Sequence, residues 1–242
     1  MHAQQLLHKH LKKECPNIHN YRMTSLFLAC DALFNGQRLS VTQLGRNLKD
    51  KAKPRSRVKR FDRLLSNASL QKERNNLYSA LTKLIINESS HPWLHIDWSC
   101  ISSVTNLYLL RASLSVKGRA ISIYEEVHSK SQENHHPTHV KFLQNLKTVL
   151  PDEVKPIIVT DAGYRGIWFK AVLDMDWDFV GRLRNKNAVK LKDSNWTLSK
   201  ELYELATSKP QELGHGELTK VNKVPCNFIC YKGVSKNRVS LN

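Results

Sequence analysis

Residues 156–166 read PIIVTDAGYRG. Ile157, Ile158 and Val159 form the short apolar, β-branched run that suits a buried strand. The run ends on a carboxylate, Asp161, and Gly163 marks a turn directly after it. Residues 92–99, PWLHIDWS, repeat the arrangement: Trp93, Leu94 and Ile96 lead to Asp97. The two aspartates lie 64 residues apart, so only the fold can bring them together. In a mixed sheet whose first and fourth strands are neighbours, both carboxylates emerge at the same end. Side by side they repel unless a cation lies between them. Mg²⁺ suits such a place, because it takes oxygen ligands and keeps water and substrate phosphate in its shell. For Asp161 alone, capping a following helix is the competing reading. A pair of strand-end aspartates favours metal.

Charge says what the site faces. The chain has 242 residues, a formal net charge of +17 and a pI near 9.8. That surplus points to a polyanionic partner, of which nucleic acid is the commonest. It is unevenly spread. Residues 1–90 hold 17 Lys and Arg against 6 Asp and Glu, residues 91–184 hold 11 against 10, and residues 185–242 hold 10 against 5. The aspartates fall in the balanced middle; the basic excess precedes it. No stretch approaches roughly 18 apolar residues, so no membrane span is expected. The N-terminus lacks the apolar core of a signal peptide. Five scattered cysteines then read as reduced thiols of a cytoplasmic protein.

Periodicity divides the chain. Residues 1–90 read as helical, with an apolar face over 21–35 from Leu26, Leu28, Ala29, Leu33 and Phe34. Ser40 is a good N-cap for a short helix carrying Val41, Leu44 and Leu48. Pro54 breaks the chain and Ser56 caps a second helix with Val58, Phe61, Leu64 and Leu65 on one face. Arg57, Lys59, Arg60 and Arg63 mostly lie off that face. Two short helices, a turn and a basic second helix fit a helix-turn-helix module that contacts DNA; a solvated basic helix in a bundle is the plainer reading. Another helix is expected over about 71–87. From residue 91 the period becomes that of strands. WLHIDW is one. NLYLLRASLSV and RAISIYEEV are joined by a Lys117-Gly118 turn. NHHPTHV reads as a polar loop. A helix runs through Val140, Leu143, Leu146 and Leu150; then come the strand to Asp161, a helix near 164–175 and the strand WDFVGRLR. Hairpin first, strand–helix alternation second, is the order of a mixed α/β sheet of the ribonuclease-H-like kind. Beyond 185 the chain is polar, with a possible strand at NFICYK.

HIDWS, LRASLSVKGRAISIYEE and IIVTDAGYRGIWFKAV together resemble the DDE transposases of bacterial insertion sequences, in the group with a Tyr-Arg-Glu-Lys signature. SLFLACDALFNGQRLSVTQLGRNL and VKRFDRLLSNASLQKER are similar to that group's DNA-binding region. The resemblance implies a helical DNA-binding domain over 1–90, a ribonuclease-H-like catalytic domain over 91–185 and the start of a β-rich insertion over 186–242. It implies that Asp97 and Asp161 are catalytic and bind Mg²⁺, in a two-ion site when complete. It implies cut-and-paste chemistry on double-stranded transposon ends and target DNA, through hairpin closure, by a homodimer in a bacterial cytoplasm at the nucleoid. The group's third carboxylate sits in Tyr, two residues, Arg, three residues, Glu, six residues, Lys. None of the seven tyrosines starts that spacing. The expectation is therefore an incomplete catalytic domain in a C-terminally truncated chain. Two rivals remain: a DNA-binding fragment that inhibits or partners a full-length enzyme, and a nuclease or RNA-processing enzyme on the same fold.

Other residues carry weaker signals. Arg182 and Arg184 end a strand near the aspartates and suit phosphate contacts, though strand-end arginines are often simply solvated. His135, His136 and His139 form a conceivable metal cluster without an acid or cysteine in suitable spacing. Cys226, Cys230 and His215 lack a zinc pattern and read as structural. Trp98 reads as core packing. Trp196 lies where the resembled enzymes use aromatics to hold a flipped base.

Overall fold

A computed structural model describes residues 3–36, 38–86 and 91–233. The chain is mixed α/β and divides into two compact units, Met1–Glu88 with Lys147–Asp152, and Ser89–Leu146 with Glu153–Asn242.

The first unit is helical: α1 (Ala3–Glu14), α2 (Asn20–Gly36), α3 (Val41–Asn47), α4 (Pro54–Leu65) and α5 (Ala68–Ile85). Two apolar clusters hold it. Leu11, Cys15, Ile18, Met23, Phe27 and Ala80 form one; Ala32, Leu44, Leu48, Phe61 and Leu64 form the other. Ser40 caps α3 as expected, its hydroxyl accepting from the N–H of Gln43. The start of α4 differs from expectation. Lys53 is the N-cap and Pro54 the first helical residue, which places Ser56 inside the helix. Proline suits that position, because its missing N–H would have no partner there and its φ is already helical. Phe34 and Leu65, expected on apolar faces, are 79% and 60% exposed. α5 begins three residues early because Asn67 caps it, Oδ1 accepting from Leu70 N at 2.9 Å. Helices α3 and α4 touch backbone to backbone: a Cβ on Gly45 would stand 2.7 Å from both N and Cα of Val58.

The second unit holds two sheets. β1 (Trp93–Ser102), β2 (Leu107–Val116), β3 (Arg119–Ser129), β4 (Ile157–Thr160) and β5 (Asp178–Gly181) form one, in the order β3-β2-β1-β4-β5. β1, β2 and β3 are antiparallel; β4 and β5 run parallel to β1. The β2–β3 hairpin turns at Lys117-Gly118, where Gly118 takes φ +72°, a region open to glycine. On the covered face Leu94, Ile96, Leu110, Ala112 and Ile158 are buried, as are Phe142, Leu143 and Leu146 of α6 (His136–Val149) and Trp168, Phe169 and Val172 of α7 (Gly166–Leu173). The rings of Tyr124 and Phe142 pack at 5.3 Å, and those of Phe169 and Phe179 stack at 4.5 Å. A Cβ at Gly181 would collide with the Phe169 ring, so this strand end needs glycine. On the other face Trp93, Val127 and Val180 are about half exposed.

Five of the seven residues of the expected polar loop 134–140 are helix. α6 starts at His136, with the N–H of His139 bonded to the His135 carbonyl, and Pro137 lies in its first turn. β6 (Ala188–Leu191), β7 (Thr197–Leu198), β8 (Gln211–Leu218) and β9 (Val224–Cys230) build a second, antiparallel sheet in the order β7-β6-β8-β9. Only β9 is anticipated by residue pattern, since the other three strands are short, polar or glycine-containing. No described helix is long and apolar enough to cross a membrane.

Candidate functional site

Asp161 directly follows β4, as expected, whereas Asp97 lies in the middle of β1, which runs on to Ser102 instead of ending there; the two strands are parallel neighbours. Trp93, Leu94 and His95 of β1 pair with Ile157, Ile158 and Val159 of β4. Continued two residues past its last pair, that register sets Asp97 opposite Asp161, the residue directly after β4, with neighbouring strands about 4.8 Å apart. Side chains alternate along a strand, so the parity that buries Leu94, Ile96, Ile158 and Thr160 turns both exposed aspartates to the opposite face.

The row continues across the sheet. Asp97 pairs with Arg111 on β2, and Arg111 with Glu125 on β3, where Nε donates to Oε1 at 2.6 Å. On the other side Gly181 pairs with Thr160 and the N–H of Arg182 bonds to the Thr160 carbonyl, which sets Arg182 next to Asp161. Glu125, Arg111, Asp97, Asp161 and Arg182 thus cross one face, with the two acids flanked by arginines. Arg182 and Arg184 are exposed.

Backbone donors orient both carboxylates. Asp97 Oδ1 accepts from Trp98 N at 2.8 Å, and Asp161 Oδ1 accepts from Gly163 N at 2.8 Å. Asp161 makes a turn with its own loop and is not a helix cap; that role falls to Arg165, before α7. Each Oδ2 has no protein donor among the described residues.

Beneath them lies a neutral aromatic floor. The Tyr164 phenol is pushed well above its ordinary range, first by burial and then by the charges of Asp97, Asp161 and Glu133. Tyr164 is 5% exposed and its hydroxyl has no hydrogen-bond partner among the described residues, nor does Nε1 of buried Trp168. The two rings lie 4.8 Å apart, and both contact His139, at 5.4 and 5.1 Å. His139 Nε2 accepts from Trp98 Nε1 at 3.1 Å, so its proton sits on Nδ1. Burial, then His136, His135 and His128, pull the His139 pKa down to about 4. Trp98 is thus a hydrogen-bonded part of this floor as well as packing. Glu126, buried behind it, accepts from Tyr124 Oη at 2.7 Å and Asn145 Nδ2 at 2.8 Å and bonds His128 Nε2 at 2.9 Å.

The donor set fits one Mg²⁺, which is commonly held by one or two carboxylates with water and phosphate completing its shell. Among the described residues no group of three or more His, Cys, Asp and Glu is placed to hold a metal. Of the three histidines, His139 uses Nε2 to accept from Trp98 and His135 Nδ1 bonds Thr138 Oγ1 at 2.9 Å, while His136 Nδ1 is buried without a partner among the described residues. Cys226 and Cys230 lie two strand repeats apart on β9; burial raises the Cys226 thiol to about 11, and Cys230 Sγ donates to the Leu202 carbonyl at 3.2 Å. Trp196 carries Lys223 Nζ 6.0 Å from its ring centroid.

In α4 the four basic residues separate. Arg57 donates to the Leu48 carbonyl and lies 3.9 Å from Asp50, with its side chain 17% exposed; Arg60 pairs with Asp50 at 2.8 Å. Lys59 and Arg63 are exposed, together with Arg55, which sequence reasoning passed over. Helical spacing of four sets Arg55, Lys59 and Arg63 on one face, a pattern readable once Pro54 is recognised as helical.

No family model matches the chain, and no curated protein matches it.

Proposed function

We propose that the chain is a DNA transposase of the DDE type, with a ribonuclease-H-like catalytic domain in which Asp97 and Asp161 hold Mg²⁺ against a DNA phosphate. The matched register of the two aspartates on one sheet face carries this reading. The strand order β3-β2-β1-β4-β5 supports it. So do the net charge of +17 and the exposed basic face of α4.

Bound there, Mg²⁺ supplies charge to activate the attacking oxygen and stabilise the leaving one in phosphoryl transfer. The chain's own residues arrange the rest. Trp98 N and Gly163 N fix the carboxylates through Oδ1 and leave each Oδ2 for ligation. Arg182, in line beside Asp161, suits a non-bridging phosphate oxygen. The buried rings of Tyr164, Trp168 and His139 exclude water from below and stay uncharged at neutral pH. The partners are duplex DNA and, in the assembled enzyme, a second copy of the chain; the cellular setting is a bacterial cytoplasm.

A second reading is favoured by the donor count. With two carboxylates and no Tyr-Arg-Glu-Lys spacing in residues 1–242, this chain binds DNA and one ion without cutting, and inhibits or partners a full-length enzyme. One experiment separates the readings: Mg²⁺ titration by calorimetry, with nicking of a labelled duplex in Mg²⁺ and Mn²⁺. The second reading expects one ion per chain, lost in Asp97→Asn and Asp161→Asn, without nicking. Nicking that Asp97→Asn abolishes selects the complete catalyst. Ion binding unchanged in both variants removes the metal site.

A further inference from the structure

A second concave surface lies in the same unit as the aspartates. It is a cleft of roughly 490 Å³ between the start of α7 and the β8–β9 turn. Arg165, Lys186 and Lys220 line it, each from a different segment, and no carboxylate among the described residues does. None of the three joins an ion pair among the described residues. All three are exposed. Three unpaired cations around one hollow repel one another, and an anion between them relieves that repulsion.

The walls are fixed. A Cβ on Gly166 would stand 2.6 Å from Thr219 Cγ2, so the helix start sits hard against the turn. Thr219 N donates to the Ala188 carbonyl at 2.9 Å, and the Thr219 hydroxyl donates to the Asn222 carbonyl. The segment carrying Lys186 is tied down as well: Asn187 N donates to the Arg184 carbonyl at 3.1 Å, Ser199 N to the Asn187 carbonyl at 2.8 Å, and Tyr203 Oη to Asn185 Oδ1 at 2.8 Å. The cations therefore stand on a set frame, which lowers the ordering cost of binding.

The lining also says which part of a polyanion fits. No aromatic ring among the described residues lines the cleft, so those residues offer nothing for bases to stack on. Asn187 and Asn222 add amide groups suited to phosphate and sugar oxygens. The approach is basic: Arg182, beside Asp161, is followed at alternate positions by Arg184 and Lys186 on an exposed segment. Arg165 lies four residues past Asp161 on the other rim.

We propose that this cleft binds the sugar–phosphate backbone of the DNA that passes the Asp97–Asp161 site, without reading its sequence. The proposal rests on the DNA-processing reading above and adds a second, sequence-independent contact to it. The test uses the full chain and two unrelated duplexes, with affinity measured from low to high salt. The Arg165→Gln, Lys186→Gln, Lys220→Gln variant should weaken binding equally for both duplexes. Its log–log salt slope should be shallower by between about 1 and about 2.7, at about 0.9 for each phosphate no longer neutralised. Val221→Glu adds an anion at a lip residue that is 91% exposed, so it leaves the core intact, and it should weaken binding in the same way. An unchanged slope in the triple variant with no effect of Val221→Glu overturns the cleft and leaves the aspartate site standing. Weakening confined to one duplex sequence overturns it too, because backbone contact is indifferent to sequence. An unmodified chain that binds neither duplex removes the cleft and the transposase reading together.

Discussion

Trp98, the residue after Asp97, donates its indole N–H to Nε2 of His139 at 3.1 Å. The bond ties the middle of β1 to α6 and requires His139 to be neutral. Folding holds its pKa near 4 against an ordinary 6.5. The unfolded chain therefore binds a proton between those values that the folded chain does not, and stability falls as pH falls from about 6.5 to about 4. His139→Gln keeps an acceptor and removes the titration. Its melting temperature should drop less between pH 7 and pH 4.5 than that of the unmodified chain; parallel pH profiles would contradict this.

Gly45 lets α3 and α4 meet backbone to backbone. Gly45→Ala puts a methyl 2.7 Å from Val58 Cα. Overpacking of this kind costs about 1–3 kcal/mol. Chemical denaturation should show that cost, and DNA affinity should fall with it if these helices dock as a unit. A variant as stable as the parent would mean the helices separate easily.

Glu126 is 9% exposed and gathers Tyr124, Asn145 and His128. Glu126→Ala removes the acceptor all three share and should destabilise by about 1–3 kcal/mol. Glu126→Gln, which keeps one acceptor oxygen, should be milder. Equal destabilisation would assign the effect to charge instead of to hydrogen bonding.

The basic face of α4 can be divided by mutation. Arg55→Ala, Lys59→Ala, Arg63→Ala should flatten the salt slope of duplex binding by up to about 2.7. Arg57→Ala should lower the melting temperature instead, since that guanidinium is spent on the Leu48 carbonyl and lies near Asp50. A large change of slope in Arg57→Ala would show that it turns outward on DNA.

Local signals made much of this chain legible. The Ser40 cap, the Lys117-Gly118 turn, the alternation of Leu94 and Ile96 with Asp97, and the run before Asp161 each act within a few residues. Short-range sterics and hydrogen bonding specify them without help from the rest of the fold. Boundaries went astray where one local signal overrode another. Pro54 reads as a breaker, yet is at home as a first helical residue; His136 and His139 read as loop, yet lie in the first turn of α6.

What no local pattern contains is adjacency. That Asp97 and Asp161 share a face depends on β4 pairing in parallel with β1, and a slip of one residue would turn one carboxylate to the other side. The placing of Arg182 beside them depends on β5 adding to the same edge in register. The meeting of Arg165, Lys186 and Lys220 depends on a second sheet of which only β9 is legible in the residue pattern. Their side chains do not specify that meeting residue by residue. Backbone hydrogen bonds set the register, and burial of Leu94, Ile96, Ile158 and Trp168 decides which register wins.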